Sequence, residues 1–125
     1  MASPAILEPI TQKAAGDCAI ACVAMILGRP YVEVSEMALS LFKDPHKVGL
    51  VTREIMRLLR HLGANPTSLP LKGLSLEEET GLLLTSGHAV VVFQGVIYDP
   101  LNGLLYQPDV YSTATHQRLV RFIRI

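Results

Sequence analysis

The sequence is poor in cysteine, shows no excess of either charge and carries no long apolar run, and each shortage removes a class of protein. Two cysteines, Cys18 and Cys22, stand four residues apart. Side chains one helical turn apart point along the axis rather than at each other, so this pair does not read as a disulfide framework. A reducing compartment is the simplest inference, and the cytoplasm is the expected location. Eleven basic and eleven acidic residues cancel, with neither sign forming a block. Such a balance gives no footing for a nucleic acid or an anionic membrane surface. The longest apolar runs, Ala19 to Leu27 and Ala89 to Phe93, fall far short of the roughly 18 residues that a membrane span needs. Met1-Ala2-Ser3-Pro4 lacks the charged and apolar regions of a signal peptide. His46, His61 and His116 are scattered, and with the two cysteines they make no metal-ligand spacing, so neither metal nor cofactor is expected. Repeats, linkers and low-complexity tracts are missing too.

What is there suffices for one α+β domain spanning residues 1–125. Half of the 125 residues are apolar, enough for a single core. The first dozen residues read as an extended arm interrupted by Pro4 and Pro9. Gly16-Asp17 opens a helix that Asp17 is suited to cap and that Gly28 and Pro30 stop at Leu27. A second helix is expected over 32–41, followed by a polar, mobile loop from Lys43 to Gly49 that reads as a solvated connector rather than as the border of a substrate groove. Thr52 is suited to cap a third helix, with Ile55, Leu58, Leu59 and Leu62 on one face and Gly63 at its end. A brief strand is expected over 65–71. Ser75 with Glu78 is a capping-box pattern and predicts a fourth helix ending near Ser86-Gly87. From His88 the period changes. The β-branched run to Phe93 predicts a central strand covered on both faces, Gln94-Gly95 a tight turn, and 96–99 the return strand. Further strands are expected around 104–107 and 118–125. Helices first and an antiparallel sheet second is an α+β layout.

A cysteine nucleophile reacts as its thiolate, which a helix N-terminus and a neighbouring imidazolium both favour. Cys18 sits in the first turn after Asp17. His88 opens the most apolar strand, after a glycine expected to give it clearance. An imidazole in this role needs its second nitrogen oriented by an acceptor. Asp99 falls near the same end of the hairpin as His88, within side-chain reach across the paired strands. A developing oxyanion needs a donor, which Gln12, six residues before Cys18, can supply beside the Cys18 backbone N–H.

These residues resemble a known family. Gln12-Lys13-Ala14-Ala15-Gly16-Asp17-Cys18-Ala19-Ile20-Ala21-Cys22-Val23-Ala24-Met25-Ile26 is similar to the nucleophile motif of the bacteriocin-processing peptidases, papain-like domains that cut leader peptides after a double glycine. Gly87-His88-Ala89-Val90-Val91-Val92 resembles their histidine strand, and Tyr98-Asp99-Pro100 with Gly103 their aspartate turn. The resemblance runs in order along nearly the whole chain. It implies a papain-like fold, with N-terminal helices packed on a C-terminal antiparallel sheet. It further implies Cys18 as nucleophile, His88 as general base and acid, Asp99 as orienter and Gln12 as oxyanion donor. Ala19 departs from the glycine that usually follows the cysteine, and no fused transporter domain is expected.

Each residue also has a plainer reading. Free cysteine is among the most buried residue types, and Cys22, among Ala21, Val23 and Ile26, reads as packing. Asp17 reads as a cap rather than a proton carrier. An Asp-Pro turn such as Asp99-Pro100 often carries no chemistry. The expected function is a cysteine peptidase acting on a peptide or protein substrate. The alternatives are a catalytically silent papain-like binding module, or the same triad used for deamidation, transglutamination or isopeptide cleavage.

Overall fold

The computed structural model of the protein describes residues 7–125. Of the expected arm, the part carrying Pro4 lies outside the described residues; residues 7–12 run without helix or strand.

The chain begins with helix α1 (Cys18–Leu27), whose residues from Ala19 to Met25 are all buried. Gly28 ends it in the left-handed conformation (φ 64°), with the Arg29 N–H returning to the Ala24 carbonyl and the Gly28 N–H to that of Met25. Helix α2 (Tyr31–Leu41) follows directly. The polar connector contains one further turn, α3 (Pro45–Val48). It is pinned rather than loose. The Gly16 N–H donates to the His46 carbonyl (3.0 Å), and the His46 ring bonds the Ser35 hydroxyl of α2 (2.7 Å). Helix α4 (Thr52–His61) buries Ile55, Leu58 and Leu59 as its pattern predicts. Val51, not Thr52, holds the cap position, and the Glu54 carboxylate accepts from its N–H (2.9 Å).

The sheet is six-stranded: β1 (Thr67–Leu69), β2 (Gly81–Thr85), β3 (Ala89–Phe93), β4 (Val96–Tyr98), β5 (Leu105–Tyr106) and β6 (Leu119–Arg124), ordered β1-β6-β2-β3-β4-β5 with every pairing antiparallel. A last helix, α5 (Pro108–Thr115), connects β5 to β6. The architecture is α+β. One face of the sheet packs on α1, α2 and α4 around Ile20, Val23, Leu58, Leu82 and Val91. The other face is closed by Tyr111 of α5 and partly buried leucines between β1 and β2, over Leu83, Val90, Ile97 and Phe122.

The fourth helix expected between Ser75 and Gly87 does not form. Ser75 precedes a single 3-10 turn, Leu76–Glu78, that Glu78 ends, and the leucines after it belong to β2. Leu82, Leu83 and Leu84 favour helix intrinsically, but the segment is flanked on both sides by strands and buried throughout, so tertiary pairing overrides propensity. Gly81 makes that pairing possible. A Cβ there would lie 2.0 Å from the Ile123 carbonyl oxygen and 2.8 Å from the Phe122 ring. The expected central strand forms as β3, buried on both faces down to Val92.

Candidate active site

Helix α1 delivers Cys18 to the surface at its first residue, half-buried, and then plunges into the core. Asp17 stands at the cap position, yet its side chain makes no capping bond. The carboxylate instead turns back and accepts from the Lys13 N–H (2.7 Å), the Ala14 N–H (3.0 Å) and the Tyr31 hydroxyl. The expectation that Asp17 caps the helix is therefore corrected. The N–H groups of Cys18, Ala19 and Ile20 have no acceptor among the described residues. An uncapped helix start keeps donors and positive potential pointed at the sulfur.

His88 lies between β2 and β3. Its carbonyl accepts both the N–H (2.8 Å) and the hydroxyl (3.2 Å) of Thr85, which fixes the backbone where the imidazole leaves it. Gly87 is not needed for clearance, since a Cβ there would meet nothing within 4 Å. Across the hairpin, Val91 opposes Tyr98, so Asp99, one residue past β4, falls by that register beside Val90 rather than opposite His88. The two side chains close the diagonal, with His88 Nε2 2.7 Å from Asp99 Oδ1. Asp99 is almost wholly buried and held by two further donors: the Leu101 N–H to Oδ1 (2.9 Å) and the Tyr111 hydroxyl to Oδ2 (3.2 Å). Tyr111 went unread in the sequence. Pro108 at the helix start was the available signal for its helix, but nothing local ties a tyrosine to an aspartate twelve residues away.

The electrostatics follow from these contacts. Burial alone would lower the His88 pKa, but hydrogen bonding to Asp99 and the neighbouring Cys18 thiol outweigh it and raise it to about 9. Burial pushes Asp99 upward, while His88, the Leu101 N–H and Tyr111 hold it below the usual carboxylate range. At neutral pH the pair is imidazolium and carboxylate. Cys22 differs in every respect: it is fully buried, its thiol donates to the Ala89 carbonyl (3.3 Å), and burial pushes its pKa well up.

Gln12 is anchored near this corner by its N–H, which donates to the Pro100 carbonyl (2.8 Å). Its amide nitrogen does not stand free. Nε2 donates to the Ala14 carbonyl (2.9 Å) and, at 3.4 Å, to that of Ala15, while the buried Oε1 has no partner among the described residues. An open groove of about 540 Å³ runs past Cys18 and His88. Ala15, Gly16, Ser86 and Gly87 are among its lining residues, as are Val48 and Val51. His46 belongs to the connector packed on Gly16, and no group of three or more His, Cys, Asp or Glu among the described residues is arranged to hold a metal ion.

Helices packed on a six-stranded antiparallel sheet make an α+β architecture consistent with a papain-like peptidase fold. In particular, the chain is similar to the crystal structure of a double glycine motif protease from an AMS/PCAT transporter in complex with the leader peptide. The TM-score is 0.67 at 17% identity, covering 95% of this chain and 91% of that one. No protein-family model matches the chain, and no curated protein sequence does. Among the described residues, no helix is long and apolar enough to cross a membrane.

Proposed function

We propose that the protein is a cysteine peptidase in which Cys18 is the nucleophile, His88 its base and acid, Asp99 the orienter and Gln12 an oxyanion donor. The observation that carries this reading is the His88–Asp99 contact of 2.7 Å beside a cysteine at an uncapped helix start. The Cys18 thiolate attacks the scissile carbonyl carbon. The oxyanion that forms meets the open N–H groups of the first turn of α1. Gln12 joins them by exchanging its long bond to the Ala15 carbonyl for the substrate oxygen. The His88 imidazolium then protonates the leaving amine, a thioester remains on Cys18, and water deprotonated by His88 releases the acid.

The solved neighbour was crystallised with a leader peptide, and a peptide is the substrate proposed here. Small residues in the lining that Cys18 shares, among them Ala15, Gly16, Ser86 and Gly87, favour small residues at the scissile bond. The test is cleavage of a diverse peptide library by the wild type and Cys18→Ala, with intact mass recording any covalent adduct. Turnover by the wild type alone, with an acyl adduct on Cys18, is expected. Binding that survives Cys18→Ala with no turnover by either protein overturns the reading and leaves a binding module.

A further inference from the structure

Asp17 is wholly buried, and a buried carboxylate persists only where donors satisfy it. At a helix start those donors ordinarily come from the second or third helical N–H. Here none does. The three donors come from the preceding turn and from α2, and they hold the carboxyl below its ordinary range against the upward push of burial. The peptide unit of Ala14 has a double role in this arrangement. Its N–H donates to Asp17, and its carbonyl accepts from Gln12 Nε2. The adjacent Ala15 carbonyl is the second acceptor of the same amide. Asp17 thus stands one peptide unit from the groups that seat Gln12. By turning away from α1 it also leaves open the N–H groups nearest the sulfur. None of its hydrogen bonds reaches His88 or Asp99.

We infer that Asp17, held by Tyr31, is a positioning residue for acyl transfer at Cys18: it shapes the 13–17 turn so that Gln12 and the open start of α1 face one developing oxyanion. This deepens the peptidase reading and rests on it. The consequence is selective. Activation of the thiol depends chiefly on His88 and Asp99, with the helix start as a lesser contribution, whereas stabilisation of the oxyanion depends on the turn that Asp17 holds. Changing Asp17 therefore separates two reactions of the same sulfur.

The probes are iodoacetamide and the p-nitrophenyl ester of N-acetylglycine. With iodoacetamide a carbon–sulfur bond forms, iodide leaves with the electron pair, and no oxyanion arises. With the ester, the thiolate adds to the carbonyl, the tetrahedral oxyanion collapses, p-nitrophenolate leaves, and a thioester remains that water hydrolyses. In the full chain, Asp17→Asn is expected to slow acylation by about 10-fold or more, short of the roughly 10²–10³ for outright loss of an oxyanion donor. Alkylation of Cys18 should stay within about 2-fold. Tyr31→Phe removes one donor and keeps the ring; it should slow acylation severalfold, again with alkylation unchanged. If Asp17→Asn does not melt cooperatively, Tyr31→Phe decides alone. Acylation and alkylation falling in equal ratio, or neither falling, overturns the inference and leaves Asp17 a structural residue. A wild type that is alkylated at Cys18 but never acylated overturns the peptidase reading itself, and the inference with it. The wild-type acylation rate thus judges the reading, and the ratio of the two rates judges the inference.

Discussion

The two walls of the groove are built in opposite ways. The wall that carries Ala15, Gly16 and Cys18 is mostly local: its main contacts run among residues 12–17, with Tyr31, His46 and the Pro100 carbonyl, which accepts the Gln12 N–H, as the distant supports. The wall that carries His88 is assembled from far apart in the chain: His88, before β3, lines the groove, and the buried Asp99 after β4 and Tyr111 on α5 support it. A local wall is a matter of spacing along the chain. An assembled wall is a matter of register, and any slip in the sheet would dismantle it. The first meets the sheet's turns through one backbone bond, Gln12 to Pro100; the second depends on the sheet throughout.

The largest effect expected follows from uncoupling the walls. His88→Ala should slow alkylation of Cys18 near neutral pH by on the order of 10²–10⁴-fold, the usual worth of a positioned acid–base group. Cys22, buried and bonded to the Ala89 carbonyl, should stay unlabelled in the folded protein of both forms. Thiol-specific mass labelling reads both results. An unchanged Cys18 rate in His88→Ala would mean that the facing wall does not activate the thiol.

Two glycines sharpen the contrast, one on each wall. A Cβ on Gly16 would lie 2.5 Å from the Lys47 carbonyl oxygen and 2.9 Å from that of His46, with backbone on the receiving side. Gly16→Ala should cost about 1–3 kcal/mol in denaturant unfolding, as overpacking does. Gly87→Ala adds a methyl where nothing lies within 4 Å and should stay within about 0.5 kcal/mol. Equal costs would show that the tight seam between Gly16 and α3 is not what holds the local wall.

What the sequence made legible follows the same division. Cys18 at a helix start, Gly28 as its stop, the stripe of α4 and the buried β3 are local patterns, and the structure has all of them. The approach of His88 to Asp99 was readable from a tight hairpin, although the strands place the two diagonally rather than face to face. Asp17 was legible as a position but not as a contact. Its residue type suits a cap, and only the folded chain shows Tyr31 and the 13–17 turn taking the carboxylate instead. Leu82 to Leu84 read as helix because leucine's propensity is local, while the β6 and β3 partners that make them a strand lie elsewhere in the chain. Tyr111 was invisible for the same reason.

The charge pair on the assembled wall sets a pH dependence. His88 has a folded pKa raised from 6.5 to about 9, so the stability it contributes is fully present below 6.5 and is lost as pH rises through about 9. Asp99 is lowered, so its contribution is present above the ordinary 3.8 and lost as pH falls through its depressed value. The wild type should therefore lose melting temperature between pH 6.5 and 9 relative to His88→Ala, which lacks this term. Parallel melting curves for the two proteins across that window would show that the pair adds nothing to stability.

The smallest effect compares two tyrosines, each donating to a buried aspartate on its own wall. Tyr111→Phe removes the 3.2 Å bond to Asp99 Oδ2 and leaves Oδ1 with His88 and the Leu101 N–H. The ring keeps its edge contact with Tyr106, at 5.2 Å between centroids, so packing survives. A long hydrogen bond to a charged group is worth about 1–1.5 kcal/mol, and unfolding should register that loss. Cys18 alkylation should fall less than about 10-fold, because the His88–Asp99 contact remains. Tyr31→Phe should leave alkylation alone and slow acylation instead. One backbone bond, from the Gln12 N–H to the Pro100 carbonyl, joins the two sets, but neither tyrosine takes part in it, so in the double variant the stability losses should add within about 0.5 kcal/mol. A larger coupling would mean that the walls form one network through α1, and that Asp17 and Asp99 act on Cys18 together.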